Sequence, residues 1–229
     1  MSQIVLYVLC EGQTEDVFVN RILKPYLKSF GVIVKSQILL TNVKKNIAGG
    51  ITEYNNQVKR DLKLMFKSNL SNDHIKYYFT TMFDLYALPS DFPDKQKHDL
   101  CSDCYNKVEL IEKSFNKDIN RDDFIAYMQL HEFEALVFSN LDGLILDYIG
   151  KEKAIDNLKI QLSNCSNNPE LINNNPQTAP SKRLEKALYP TKYNKPKSGI
   201  TATQNVGIEY LKSKCHHFGE WVEKLEKLS

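Results

Sequence analysis

Ile4-Val5-Leu6-Tyr7-Val8-Leu9-Cys10-Glu11-Gly12-Gln13-Thr14-Glu15-Asp16 is the stretch on which the fold turns. A short apolar, β-branched run stops at an acid and a glycine. A Thr/Glu pair follows, and a helical pattern then begins. This is a buried strand handing over to a helix, with a carboxylate at the hinge. Open α/β sheets bind ligands in the crevice beyond the C-terminal ends of their strands. Glu11 is therefore expected where chemistry is usually done.

Working outward, the pattern alternates. The apolar spacing of Val17, Phe18, Ile22, Leu23, Tyr26 and Leu27 predicts a helix from Thr14 to Phe30, with Thr14 as its N-cap and Pro25 imposing a kink or an earlier end. Gly31 breaks the chain, and Val32 to Leu40 reads as a second strand. Ala48-Gly49-Gly50 reads as loop, and Tyr54 to Leu70 as a basic helix. Tyr77 to Phe83 is a strand ending at Asp84; Leu85 to Asp94, with two prolines, is loop. Cys104 to Phe115 is a helix, and Phe124 to Leu130 is a third strong strand running into His131-Glu132-Phe133-Glu134. Strands separated by helical patterns predict βαβ units and a mostly parallel α/β sheet flanked by helices. The C-terminal third differs, with an Asn/Pro-rich loop from Asn164 to Pro180 between helices Glu152–Leu162, Lys182–Leu188 and roughly Asn205–Leu225. The expectation is a sheet domain over 1–150 and a helical extension over 151–229 packed on it.

Composition bounds the function classes. The chain has 229 residues, 42% hydrophobic and 25% charged, ordinary for a globular protein. A net charge of +2 gives no global electrostatic argument for nucleic acid. No apolar run approaches bilayer length, and the N-terminus enters a strand at once rather than a signal peptide. Five irregularly spaced cysteines fit free thiols in a reducing cytoplasm, so a cytoplasmic location is expected.

Three acidic positions lie just beyond three predicted strands: Glu11, Asp84 and the Glu132/Glu134 pair. Carboxylates gathered at one edge repel unless a cation neutralises them. Oxygen-only ligands suit magnesium, which keeps several waters and takes one or two protein carboxylates.

The signature blocks carry a resemblance. They are Glu11-Gly12-Gln13-Thr14-Glu15, Thr80-Thr81-Met82-Phe83-Asp84-Leu85-Tyr86-Ala87-Leu88-Pro89, Gln129-Leu130-His131-Glu132-Phe133-Glu134-Ala135-Leu136, Pro169-Glu170-Leu171-Ile172-Asn173 and Thr178-Ala179-Pro180-Ser181-Lys182-Arg183. In that order they resemble a bacterial family of uncharacterised Toprim-like proteins, related in pattern to the Toprim nuclease half of OLD-type proteins. The resemblance implies a Toprim-like fold and a nuclease dependent on Mg²⁺ or Mn²⁺, hydrolysing phosphodiester bonds in DNA or RNA. It also implies a place in anti-phage defence and an ABC-type ATPase partner encoded nearby. By the same resemblance Glu11 is the first metal acid, Asp84 the second, and Glu134 the acid after the third strand. The usual Asp-x-Asp is broken by Tyr86, so the missing ligand would come from Asp91, Glu132 or Glu134.

Glu15 reads equally as a site residue or as a first-turn acid favouring the helix dipole. If residues 132–134 continue the strand, Glu132 and Glu134 face the same way; if a helix has begun, they diverge. Ser181 is a candidate N-cap, so backbone amides with Lys182 and Arg183 could meet a phosphate and stabilise developing charge. Lys192, Lys195 and Lys197 lie in a loop that could follow a nucleic-acid backbone, but a charge run is usually just a soluble face and adds little by itself. The expected site is Glu11, Asp84, Glu132 and Glu134 as metal ligands and Lys182 and Arg183 on substrate, with Glu15, Asp91 and His131 in support. Cys101-Ser102-Asp103-Cys104 beside His98 reads as free thiols rather than zinc ligands. The alternative function is a non-catalytic Toprim-fold partner or regulator of the ATPase. The sequence leaves homo-oligomerisation open.

Overall fold

The computed structural model describes residues 2–40, 50–86, 88–173 and 176–229. Ala48 and Gly49 of the expected loop, Ala87 of the second block, and Asn174 and Asn175 lie outside the described residues. The chain forms two compact units: residues 1–129 with 225–229, and residues 130–224. The composition change near residue 150 falls inside the second.

The first unit is built on a parallel sheet. Strands β1 (Gln3–Cys10), β2 (Val32–Ile38), β3 (Ile75–Asp84) and β4 (Phe124–Ile125) lie in the order β2-β1-β3-β4, and β5 (Met128–Gln129) also pairs with β3. Every pairing is parallel. β1 is buried almost throughout, with Leu6, Val8, Leu9 and Cys10 fully covered, as expected of a parallel strand with both faces occupied. This bears out the expected fold class of a mostly parallel sheet flanked by helices.

Helix α1 spans 13–28 as Gln13–Phe18, a π-turn Val19–Leu23 and a last turn Lys24–Lys28. Pro25 brings no N–H and crowds the carbonyl one turn back. The π-turn widens the helix just before it, so the helix runs on instead of stopping. Helix α2 spans 54–68, a π-turn Tyr54–Val58 followed by Lys59–Ser68. After a short turn α3 (Lys95–His98), helix α4 (Cys104–Ile119) starts where Asp103 accepts from the N–H of Asn106 at 2.8 Å and ends at Asn120 with φ 53°.

The expected strand 124–130 is broken into β4 and β5. Side chains replace ladder bonds across the break. Asn116 Oδ1 accepts from Ala126 N at 2.9 Å, Glu112 Oε1 from Met128 N at 2.8 Å, and Thr81 Oγ1 both donates to Tyr127 O and accepts from Tyr127 N. An aromatic cluster fills one side of the sheet. Phe115 of α4 meets Phe92 and Phe124 edge-on at 5.2 and 5.1 Å, and Phe66 of α2 meets Phe79 at 4.8 Å.

The second unit is helical: α5 (Glu134–Val137) leading into a 3-10 turn Phe138–Leu144, then α6 (Glu152–Ser163), α7 (Pro180–Leu188), a π-turn Lys195–Gly199 entering α8 (Ile200–Lys214), and α9 (His216–Glu226), whose end returns to the first unit. The single helix expected over 205–225 is two helices. Glu170, fully buried, accepts from the N–H groups of His217 and Phe218 at 3.0 Å each, which gives α9 an N-terminus of its own. Gly143 lets α8 approach, since a Cβ there would stand 2.8 Å from the Ala202 Cα.

Phe115→Ala is expected to lower the unfolding free energy by about 3–5 kcal/mol, because several rings lose their partner at once. Leu110→Ala on the same helix, where the side chain is 42% exposed, is expected to change it by less than about 0.5 kcal/mol. Urea denaturation followed by circular dichroism checks both.

Candidate metal centre at the sheet edge

Glu11 and Asp84 end adjacent parallel strands. The register pairs Cys10 with Met82, and Glu11 extends the ladder by donating its N–H to Met82 O at 3.1 Å. Its carboxylate then crosses to the next strand, where Oε2 accepts from Asp84 N at 2.9 Å. Both residues are half-buried. The two acids expected together from sequence thus share the C-terminal edge of the sheet, each anchored by backbone. Gln129 of β5 lies opposite Asp84 on the other side, so the neighbouring strand brings an amide to this row.

Glu15 is buried, and its Oε2 accepts from Gly12 N at 2.9 Å. This bond is the reciprocal half of a helix start, so Glu15 serves the helix N-terminus. Cys10 lies beneath; burial first, then the charges of Glu15 and Asp16, push its thiol well above the usual range. Asp91 accepts from Tyr54 N at 2.9 Å and from Asn55 N at 3.1 Å, capping α2. Burial opposes its charge, but these N–H bonds hold it below the usual carboxylate range. Tyr86 is half-buried just after Asp84.

In the second unit the paired glutamates diverge, because the chain has already turned helical. His131 takes φ 63°, a left-handed conformation uncommon outside glycine, and its Nε2 lies 2.9 Å from Glu170 O. Glu132 accepts from Ser181 N at 2.5 Å and from Ser181 Oγ at 3.0 Å. The anion that meets the start of α7 is therefore this carboxylate. Glu132 thus occupies the Ser181 amide that the sequence reading offered to a phosphate. Glu134 opens α5 fully buried, with Oε2 bonded to Lys195 Nζ at 2.9 Å. Burial pushes its carboxyl from 4.5 up to about 7; Lys195 pulls it down and the charge of Glu132 adds to the rise.

The cations expected on substrate make contacts within the second unit. Lys182 is 56% exposed and pairs with Glu185 at 2.8 Å. Arg183 donates to Thr178 O at 2.7 Å and Gln161 Oε1 at 2.6 Å, a staple within the unit. The lysine that meets a site candidate is Lys195. Sequence reading had it only as one of a basic run, and its one local signal is the Asn194-Lys195-Pro196 start of a helical segment, where Asn194 caps by accepting from Lys197 N.

Among the described residues no three His, Cys, Asp or Glu form a metal-ligand group, and none of the five cysteines is in a disulfide. Nor, among the described residues, is any helix long and apolar enough to cross a membrane. What the sheet edge offers is a pair of hard oxygen donors, which suits magnesium with most of its waters retained rather than zinc.

The family model described as "Domain of unknown function (DUF4276)" matches residues 10–226, and the chain belongs to that family. Its structure is similar to the C-terminal region of the Burkholderia pseudomallei OLD protein, at 14% identity and a TM-score of 0.42 over 99% of each chain. It is also similar to the C-terminal region of the Xanthomonas campestris pv. campestris OLD protein, at 13% identity and a TM-score of 0.38 over 98% of each chain. The family match agrees with the signature blocks; structural likeness at this level carries no argument about the chain. No curated protein matches the chain.

Because the folded-state value of Glu134 is raised, its contribution to stability is greatest at low pH, where folded and unfolded chains both hold the proton. Between about 4.5 and 7 the unfolded chain releases its proton first, and stability falls. In metal-free buffer, the stability of wild type minus that of Glu134→Gln is expected to drop by on the order of 3 kcal/mol between pH 4.5 and 7.5. Paired urea titrations across this range measure it. A flat difference would mean that Glu134 titrates as an ordinary carboxylate.

Proposed function

We propose that this protein is a divalent-metal-dependent phosphodiesterase acting on nucleic acid, with Glu11 and Asp84 holding Mg²⁺ or Mn²⁺. The observation that carries the reading is the Glu11–Asp84 pair at the C-terminal edge of adjacent parallel strands, locked by the 2.9 Å bond from Asp84 N to Glu11 Oε2. This is the edge where open α/β sheets place ligands, and two hard carboxylates match what magnesium takes from a protein. When bound, the ion supplies a Lewis acid for a phosphoryl oxygen and a water acidic enough to attack. The chain's own residues supply position. The β1–β3 ladder sets the spacing of the two carboxylates, and the backbone bond at Asp84 fixes the orientation of Glu11. Glu134 with Lys195 is a second functional candidate, a carboxylate and a cation held together at 2.9 Å. Glu132 keeps its expected place in support, and Lys182 and Arg183 theirs on the substrate. The roles in anti-phage defence and with an ABC-type ATPase rest on the signature blocks.

The second reading is a non-catalytic partner of such an ATPase. Tyr86, where a second aspartate is expected, and Gln129 beside Asp84 favour it, since both reduce the charge available for a second ion.

Asp84→Ala is expected to weaken Mg²⁺ or Mn²⁺ binding at least about tenfold, read by calorimetry, because a hard anionic ligand that offsets dehydration is gone. Glu11→Ala and Glu134→Ala are expected to remove most metal-dependent cleavage of plasmid, linear DNA or RNA. Lys182→Ala should lower it less, by about tenfold to a thousandfold. The assay is run with the chain alone and with the ATPase plus ATP. Equal metal affinity in wild type and Asp84→Ala would sink the metal centre. Metal binding without cleavage under any condition would favour the non-catalytic partner.

A further inference from the structure

Glu134 Oε1 and the Tyr193 hydroxyl are buried, and neither has a hydrogen-bond partner among the described residues. Glu134 is 0% and Tyr193 6% exposed. Buried polar atoms in native proteins are almost always satisfied, so two orphans call for an explanation.

The two groups lie on segments that meet within the second unit. Lys195, two residues after Tyr193, holds the other oxygen of Glu134 at 2.9 Å. A Cβ built on Gly199 would lie 2.6 Å from the Tyr193 hydroxyl, 3.3 Å from Val137 Cγ2 and 3.5 Å from Phe133 Cε1. Gly199 thus stands between the phenol and the segment that carries Glu134, against Phe133 just before it and Val137 at the end of α5. After burial, the charge of Glu134 is the largest influence raising the Tyr193 hydroxyl.

The chemistry of the spot selects its occupant. The Lys195 ammonium already matches the Glu134 charge, so a cation would be repelled. Glu132 and Glu134 repel an anion. The phenol offers a donor and Oε1 an acceptor, inside walls formed by Phe133, Val137 and Gly199. What fits is small, neutral, and able to accept and donate at once. We propose that Tyr193 and Glu134 hold one ordered water, which accepts from the Tyr193 O–H and donates to Glu134 Oε1. This water ties the segment carrying Lys195 to α5 and makes Tyr193 a positioning residue for the Glu134–Lys195 pair. The inference does not depend on the nuclease reading.

Tyr193→Phe tests it through the sign of its effect. Deleting a buried hydroxyl that bonds nothing leaves stability unchanged or raises it; deleting a water's anchor strands the Glu134 oxygen and lowers it. Calorimetry is expected to show Tm reduced by about 2–6 °C. A crystal structure showing ordered solvent is expected to place a water within hydrogen-bond distance of both atoms in wild type, and to lose it in Tyr193→Phe. An unchanged or raised Tm, a direct Tyr193–Glu134 hydrogen bond, or no wild-type water at this position would each overturn the proposal, whether or not the protein cleaves nucleic acid.

Discussion

The pairing of β1 with β3 is the constraint on which the sheet edge depends. Eight successive positions are in parallel register, from Gln3 opposite Ile75 to Cys10 opposite Met82. Side chains alternate along a strand, so a slip of one residue would turn each apolar side chain to the wrong face. Because β1 is buried on both faces, close packing of its individual side chains, rather than alternation alone, holds the register. The positions of Glu11 and Asp84 therefore follow from hydrophobic burial several residues upstream, and the bond from Asp84 N to Glu11 Oε2 completes an arrangement the core has already imposed.

The second unit is organised by a different device. Three buried or nearly buried glutamates each find a donor in a distant part of the chain: Glu132 the amide and hydroxyl of Ser181, Glu134 the ammonium of Lys195, and Glu170 the amides of His217 and Phe218. Two of the three sit on helix N-termini, where partial positive charge offsets the cost of burying an anion. Asp91, though exposed, caps α2 in the first unit in the same way. Such groups stabilise only as pairs, since removal of one partner leaves an uncompensated charge or orphaned amides. Among the described acids, Asp91, Glu132 and Glu170 cap helices, whereas Glu11 and Asp84 stand at strand ends.

That division explains what was legible from residues alone. The strands around Glu11 and Asp84 were readable because parallel strands are continuously apolar, and an acid ending such a run is conspicuous. The Pro25 region was read correctly as a disturbance but not as a π-turn, because continuation depends on packing along the whole helix. The strand over 124–130 looked continuous, and its break comes from Thr81, Glu112 and Asn116, residues 10 to 46 positions away. Lys182 stood out through its neighbours Ser181 and Arg183, whereas Lys195 was one lysine among several until Glu134 was found beside it.

The sequence by itself determined the α/β class, the mostly parallel direction of the strands, and the pair of acids at the sheet edge, because these follow from local periodicity and burial. The tertiary structure alone decided which carboxylates are spent as caps, where the C-terminal helix divides, and which lysine meets an acid. Those outcomes rest on contacts between residues tens of positions apart, where a buried charge takes whatever donor the fold brings to it, and no local pattern encodes that choice.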